Sequence, residues 1–184
     1  MPNKIYSKVI GELEQNPEFA DWWMGKIITV PLFDNKKLPV TFVDLEPGVD
    51  QQFLDEADTA LRNFLDKTSA CRMEISSLVY RNCMNVLDDA GDDEADKALR
   101  DIKNDNEIWN FVYPEEIYVQ RRSSMDKDIY IQIACNCAWE QEHGLQLVFR
   151  QGKKLTRVSD QDGHLTEADA FDKPDEEDEL LSKF

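Results

Sequence analysis

The stretch "EEIYVQRRSSMDKDIYIQIACNC", residues 115–137, alternates apolar and polar residues on both sides of the polar link SSMDK. Successive side chains of an extended chain point to opposite faces, so a period of two marks a strand with one buried face. The link has hairpin length. LQLVF and KLTRV continue the pattern beyond it, joined by QGKK. Four strands should therefore follow Pro114, with Ile117, Val119, Ile129, Ile131, Ile133, Cys135, Leu145, Leu147 and Phe149 facing inward.

Upstream the period is helical. Phe53, Leu54, Ala57, Ala60, Leu61, Phe64 and Leu65 form one stripe over 50–66, with Asp50 placed as N-cap. A second stripe runs from Cys71 through Ile75, Leu78, Val79, Cys83 and Val86 to Leu87, and Gly91 is placed to stop it. Ala95, Ala98, Leu99 and Ile102 suggest a third helix, whose opening acids would suit the positive end of its dipole. Ile5, Tyr6, Val9, Ile10 and Leu13 predict a short N-terminal helix ended by Asn16-Pro17. KIITVPLF and LPVTFV flank the turn-like DNKK and predict a hairpin, with Pro31 and Pro39 favouring edge positions. Trp22 and Trp23 stand beside its start as packing aromatics.

The expected fold is α+β: an antiparallel meander of about six strands, joined to the earlier hairpin as one sheet and covered on one face by three to four helices. Residues 1–171 form the single domain. Residues 172–184 form an acidic tail expected to be mobile, although Leu180, Leu181 and Phe184 offer a short docking helix.

Among 184 residues, 21 basic and 38 acidic side chains give a net charge of −17. A phosphate backbone or an anionic membrane surface would be repelled, so nucleic acid and lipid are poor partners, and solubility is the ordinary reason for such an excess. The excess is uneven. Residues 41–113 hold 17 acids and seven bases, and residues 159–184 hold ten acids and two bases, whereas the remaining segments are near neutral. No apolar run approaches a membrane span and the opening MPNKIYSK has no secretory pattern, so the cytoplasm is expected. Reduced thiols are then expected for the four cysteines.

The stretch "CNCAWEQEHGLQLVF", residues 135–149, tests whether chemistry is present. Cys135 and Cys137 share a face, about 7 Å apart along a strand, but no second cysteine or histidine pair accompanies them. The chain has only His143 and His164. A zinc site therefore lacks ligands. Glu142 and His143 are adjacent in a loop, with no nucleophile motif beside them. "SDQDGHLTEAD", residues 159–169, matches a calcium loop in part: Asp160, Asp162 and Gly163 fit, but Val158 and Asp169 fall where the terminal ligands should be. An Asp-Gly turn is the simpler reading. Phosphate-binding and nucleophile-elbow motifs are absent, and no cofactor is expected.

The run C-x-W-E-x-E-H-G-L-Q-L-V-F-R-x-G-K-x-L-T-x-V-S-x-x-D-G-H-L-T, from Cys137 to Thr166, resembles the C-terminal signature of an uncharacterised bacterial domain family. "DWWMGKIITVPLF", residues 21–33, is similar to the tryptophan-and-strand segment of that family. Such domains are similar to immunity proteins of bacterial toxin systems, including contact-dependent inhibition. The resemblance implies a non-enzymatic protein that neutralises a basic cognate toxin. Asp88, Asp89, Asp92, Asp93, Glu94 and Asp96 are the expected contact acids, with Asp160 and Asp162 secondary. The alternative is a metal-dependent hydrolase near Glu142, His143, Asp162 and His164, with Trp139 in the same corner.

Overall fold

The computed structural model describes residues 4–45, 51–91, 93–123 and 125–183. Asp50, Asp92 and Phe184, named above as N-cap, contact acid and docking residue, lie outside them. The order is β1 (Lys4–Ser7), β2 (Gly11–Gln15), β3 (Trp23–Met24), β4 (Ile28–Val30), β5 (Lys36–Leu38), β6 (Val40–Phe42), α1 (Gln51–Leu65), α2 (Arg72–Ala90), α3 (Lys97–Arg100), β7 (Val112–Arg121), β8 (Ile129–Cys137), β9 (Leu145–Arg150), β10 (Lys154–Ser159) and α4 (Glu167–Phe171), with 3-10 turns between several of them. The fold is α+β as expected, but its main sheet has eight strands rather than six, ordered β1-β2-β3-β6-β7-β8-β9-β10.

The meander β7–β10 stands where the alternation placed it, and every predicted inward residue from Ile117 to Phe149 is buried. Strand β7 starts two residues before Pro114. The ring is tolerated because the register slips between Pro114 and Glu116, and because β6 pairs only with Ile117–Val119, so no neighbour needs a donor from the proline.

Three expectations are corrected. The N-terminal segment is the hairpin β1–β2 and not a helix. Its turn is bound by the buried carboxylate of Asp58 on α1, which accepts from the Ser7 hydroxyl and from the Lys8 N–H at 2.8 Å, and Gly11 supplies φ +93°. Second, β4 and β5 form the predicted hairpin as a separate two-stranded sheet. The residues after Pro39 leave it, and β6 enters the main sheet parallel to β7. Third, the helices do not all lie on one face. Helices α1 and α2 cover the inner face, with Phe64 against Phe149 at 5.3 Å between ring centroids and the Trp139 indole donating to Asn82 of α2 at 3.0 Å. The third helix shrinks to the single turn α3, of which only Leu99 is buried. Helix α4 packs on the outer face.

The acidic segment expected as a tail is anchored there through its described residues. Arg122 is 2% exposed at the side chain, with Asp126, Asp169 and Asp175 around its guanidinium. Asp178 is 1% exposed and accepts from the N–H groups of Ala168, Leu180 and Leu181, each at 3.0 Å. Beneath this segment runs an amide ladder. Gln120 donates to Gln132 at 2.7 Å, Gln132 to Gln146 at 2.7 Å, and Gln146 to Ser159, Asp162 and the His164 carbonyl. The amides of this ladder on the outer face are thus paired with one another and with the β10 end of the sheet.

Candidate functional site

The acids expected to meet a partner gather where α2 ends. Asp88 and Asp89 are exposed in its last turn, Gly91 terminates it with φ +89°, and Asp93 and Glu94 are exposed just beyond. Asp96 is half-buried. Asp93 caps the following turn by accepting from the Ala95 N–H at 3.0 Å. One cation organises the corner. Arg100 donates to the Leu87 carbonyl at 2.8 Å and the Gly91 carbonyl at 3.0 Å, and reaches Asp88 at 3.3 Å.

The electrostatics of this placement differ from the expected one. Opening acids would stabilise a long helix over 92–102, but α3 is one turn, and Asp88 and Asp89 stand at the negative end of α2. Carboxylates there oppose the helix dipole by a few tenths of a kcal/mol each. Helix stability does not account for them. Arg100 offsets part of this by donating to the Leu87 carbonyl of the last turn and to the Gly91 carbonyl just past it, the task cations perform at helix C-termini.

The second corner is built differently. The loops after β8 and β10 do adjoin, since the Gln161 N–H donates to the His143 carbonyl at 3.2 Å and its amide donates to the Cys135 carbonyl at 2.9 Å. Gly144, at φ +63°, permits the approach, because a Cβ there would lie 2.6 Å from the Cys135 carbonyl oxygen. The side chains named for hydrolysis nevertheless have other partners. Asp162 accepts from Arg157, from Gln146 at 3.0 Å and from the His164 N–H at 2.9 Å. Trp139 is buried and tied to α2. Glu142 is exposed. His143 is 62% exposed, with its Nδ1 3.5 Å from Glu140, and His164 is 46% exposed, with its Nδ1 3.4 Å from Asp162. The N–H groups of His143 and Glu142, with the imidazole behind them, hold the Glu140 carboxyl below the usual carboxylate range.

Among the described residues, no three His, Cys, Asp or Glu side chains are grouped to hold a metal ion. The partial calcium loop is a turn: Gly163 has φ +81°, Asp160 is exposed, and Asp169 is held by Arg122. The Cys135 and Cys137 thiols are buried. Burial pushes Cys137 up to about 11 and Cys83, opposite it on α2, up to about 12, so neither is a thiolate at neutral pH.

Two features were not anticipated. An open groove of about 880 Å³ lies between α1 and the β7–β8 turn. Arg121 and Glu56 pair across it at 2.6 Å, while two of its other acids pair with residues outside its lining, Asp55 with Lys8 at 2.6 Å and Asp128 with Arg150 at 2.7 Å. The other is on the outer sheet face, where Glu116 accepts from Thr41 at 2.7 Å and from the Tyr118 hydroxyl at 3.0 Å. In sequence, Glu116 is one polar position of an alternating strand, and only the pairing of β6 with β7 brings Thr41 to it.

No helix among the described residues is long and apolar enough to cross a membrane. Residues 9–165 match the family described as Domain of unknown function (DUF6985), and the chain belongs to that family. Neither the curated proteins nor the solved structures contain a match.

Proposed function

We propose that this member of the family is a non-catalytic binding domain that neutralises a basic cognate toxin, as an immunity protein does, through the acids at the end of α2. The observation that carries the reading is the position of Asp88 and Asp89, exposed at the negative end of a nineteen-residue helix, with Asp93 and Glu94 beside them. Such carboxylates cost the fold a little and interact with what arrives from solvent. A toxin that handles nucleic acid is cationic where it meets phosphate, and an acidic surface on a fixed frame competes for that site and accelerates encounter. The frame is rigid here because Arg100 ties the helix end and Trp139 ties α2 to the sheet.

The test is to search the genes adjoining this one for a basic secreted domain and to mix that domain with the protein in stopped flow. Charge reversal of Asp88, Asp93 and Glu94 to lysine should slow association roughly tenfold at low salt, and the difference should close as the Debye length falls below ~10 Å. Unchanged kinetics at low salt, or a gene neighbourhood with no such polypeptide, would remove the proposal.

A further inference from the structure

The two halves of the outer sheet face are finished differently. Over β8–β10 the chain covers itself, and the pairing it uses is consistent: outward arginines meet aspartates, Arg122 with Asp169 and Asp175, and Arg157 with Asp162. Over β2, β3, β6 and β7 the polarity is the reverse. One cross-strand row starts with Lys4 at the β1 edge and reads on through Glu14, Met24 and Thr41 to Tyr118, and Glu116 stands next along β7. Residues 11–26 carry four acids against one base. Aromatic rings lie among these carboxylates. Trp22 meets Tyr118 edge-on at 6.0 Å, Phe19 leans on Trp22 at 5.1 Å, and Phe19 and Met24 are 51% and 38% exposed.

Glu116 is the centre of this half. Its two oxygens each take one neutral donor, from Thr41 and from Tyr118, which fixes the plane of the carboxylate. A carboxylate has about four acceptor positions, so about two remain. No cation among the described residues pairs with it. A half-buried carboxylate held in one orientation beside a tyrosine and a tryptophan has the geometry that a guanidinium recognises: two parallel hydrogen bonds to the acid and a planar cation stacked on a ring. Lysine offers a point charge and would use only part of it.

We propose that this open half-face, centred on Glu116, Tyr118 and Trp22, docks an arginine-bearing segment of a partner protein. The arginine takes Glu116, and the neighbouring apolar side chains of the segment lie on Phe19 and Met24. A second copy of this chain is disfavoured as occupant, because each copy carries −17. The site lies on the opposite side of the sheet from α2 and does not depend on the acids at its end. Aromatic and arginine anchors of this kind supply residence time, whereas exposed acids supply encounter rate.

The experiment is an amide and indole chemical-shift titration of the full chain with an octapeptide alternating arginine and phenylalanine, against peptides with citrulline or lysine in place of arginine. Shifts should concentrate at Trp22, Met24, Thr41, Glu116 and Tyr118. Affinity should fall about tenfold or more with citrulline, and less with lysine. Glu116→Gln should abolish the preference for arginine while leaving the remaining spectrum in place. If that variant fails to fold, Trp22→Ala provides the same test through the stacking partner. The lysine charge reversals at Asp88, Asp93 and Glu94 should leave these shifts unchanged. Shifts confined to 88–96, shifts spread over all acidic surfaces, equal binding of the citrulline peptide, or no binding would each overturn the proposal.

Discussion

Replacing Arg122 by methionine should cost about 3–5 kcal/mol, the range for breaking a buried ion pair by removing one partner. Its side chain is 2% exposed and donates through Nε to Asp169 at 2.9 Å, through Nη2 to Asp175 at 2.6 Å, and through Nη1 to Asp175 at 2.8 Å and Asp126 at 3.0 Å. Without it three carboxylates face one another, with Arg150 standing 3.8 Å from Asp126. Asp175→Asn is milder. Its side chain is 29% exposed and the amide oxygen can still accept, so about 1–2 kcal/mol is expected after solvent screening. The assays are urea denaturation at pH 7 and hydrogen exchange of the Leu180 and Leu181 amides, which depend on Asp178 in the same segment. The pH dependence follows from the direction of one shift. Hydrogen bonds from Arg122 hold the Asp175 carboxyl below the usual range, so its contribution is complete above the unfolded value of about 3.9 and is lost as pH falls through the lower folded value. Asp175→Asn should therefore flatten the acid limb of the stability curve and leave its neutral side parallel to wild type. An Arg122→Met protein within about 0.5 kcal/mol of wild type, the scatter of surface substitutions, or one that loses stability while exchange at 180–181 stays protected, would mean that Arg122 does not anchor this segment.

Gly152 has φ +66°, and a Cβ there would sit 1.9 Å from the Ala60 carbonyl oxygen of α1, so Gly152→Ala should destabilise by about 2–5 kcal/mol through strain and displacement of the hairpin. Gly163→Ala, at φ +81° with nothing nearby, should show only the backbone part, about 1–2 kcal/mol, in the same thermal melts. With Cys83, Cys135 and Cys137 buried and their thiols pushed up, a thiol reagent at pH 8 should modify the half-buried Cys71 first and the other three only on unfolding; rapid modification of two or more would contradict the packing. Asp58→Ala should cost about 2–4 kcal/mol, because it leaves the Ser7 hydroxyl and the Lys8 N–H unpaired, and should speed hydrogen exchange in β1 before the rest of the sheet.

The meander was legible because alternation is a local property. Ile129, Ile131, Ile133 and Cys135 need only their own strand to declare an inward face, and α1 declares its stripe in the same way. The N-terminal hairpin was not legible. Ile5, Val9, Ile10 and Leu13 satisfy a helical spacing, and what decides against it is a carboxylate fifty residues away that binds the turn. Asp58 itself reads as an ordinary polar residue of an amphipathic helix. The parallel joining of β6 to β7 is equally non-local: both strands alternate, and neither states its partner. The acidic segment read as a tail because its own apolar content is low. Its anchoring comes instead from Arg122, which was simply one of two arginines at a strand end.

The distribution of carboxylates then becomes a matter of which ones the fold uses. Asp126, Asp169 and Asp175 meet the Arg122 guanidinium, and Asp58 and Asp178 are buried against backbone N–H groups that they hold in place, so all five are engaged by the fold. Net charge in the sequence counts these together with Asp89 and Glu94, which are exposed, and with Asp88, which is exposed beside Arg100 in the last turn of α2. Composition therefore argues against phosphate and anionic surfaces without distinguishing structural acids from exposed ones, and only burial and hydrogen bonding separate them. Glu116 is intermediate: two neutral donors orient it, and its charge is left uncompensated beside aromatic rings. An acid used by the fold for position but not for charge is the kind whose remaining interaction is with a cation from outside.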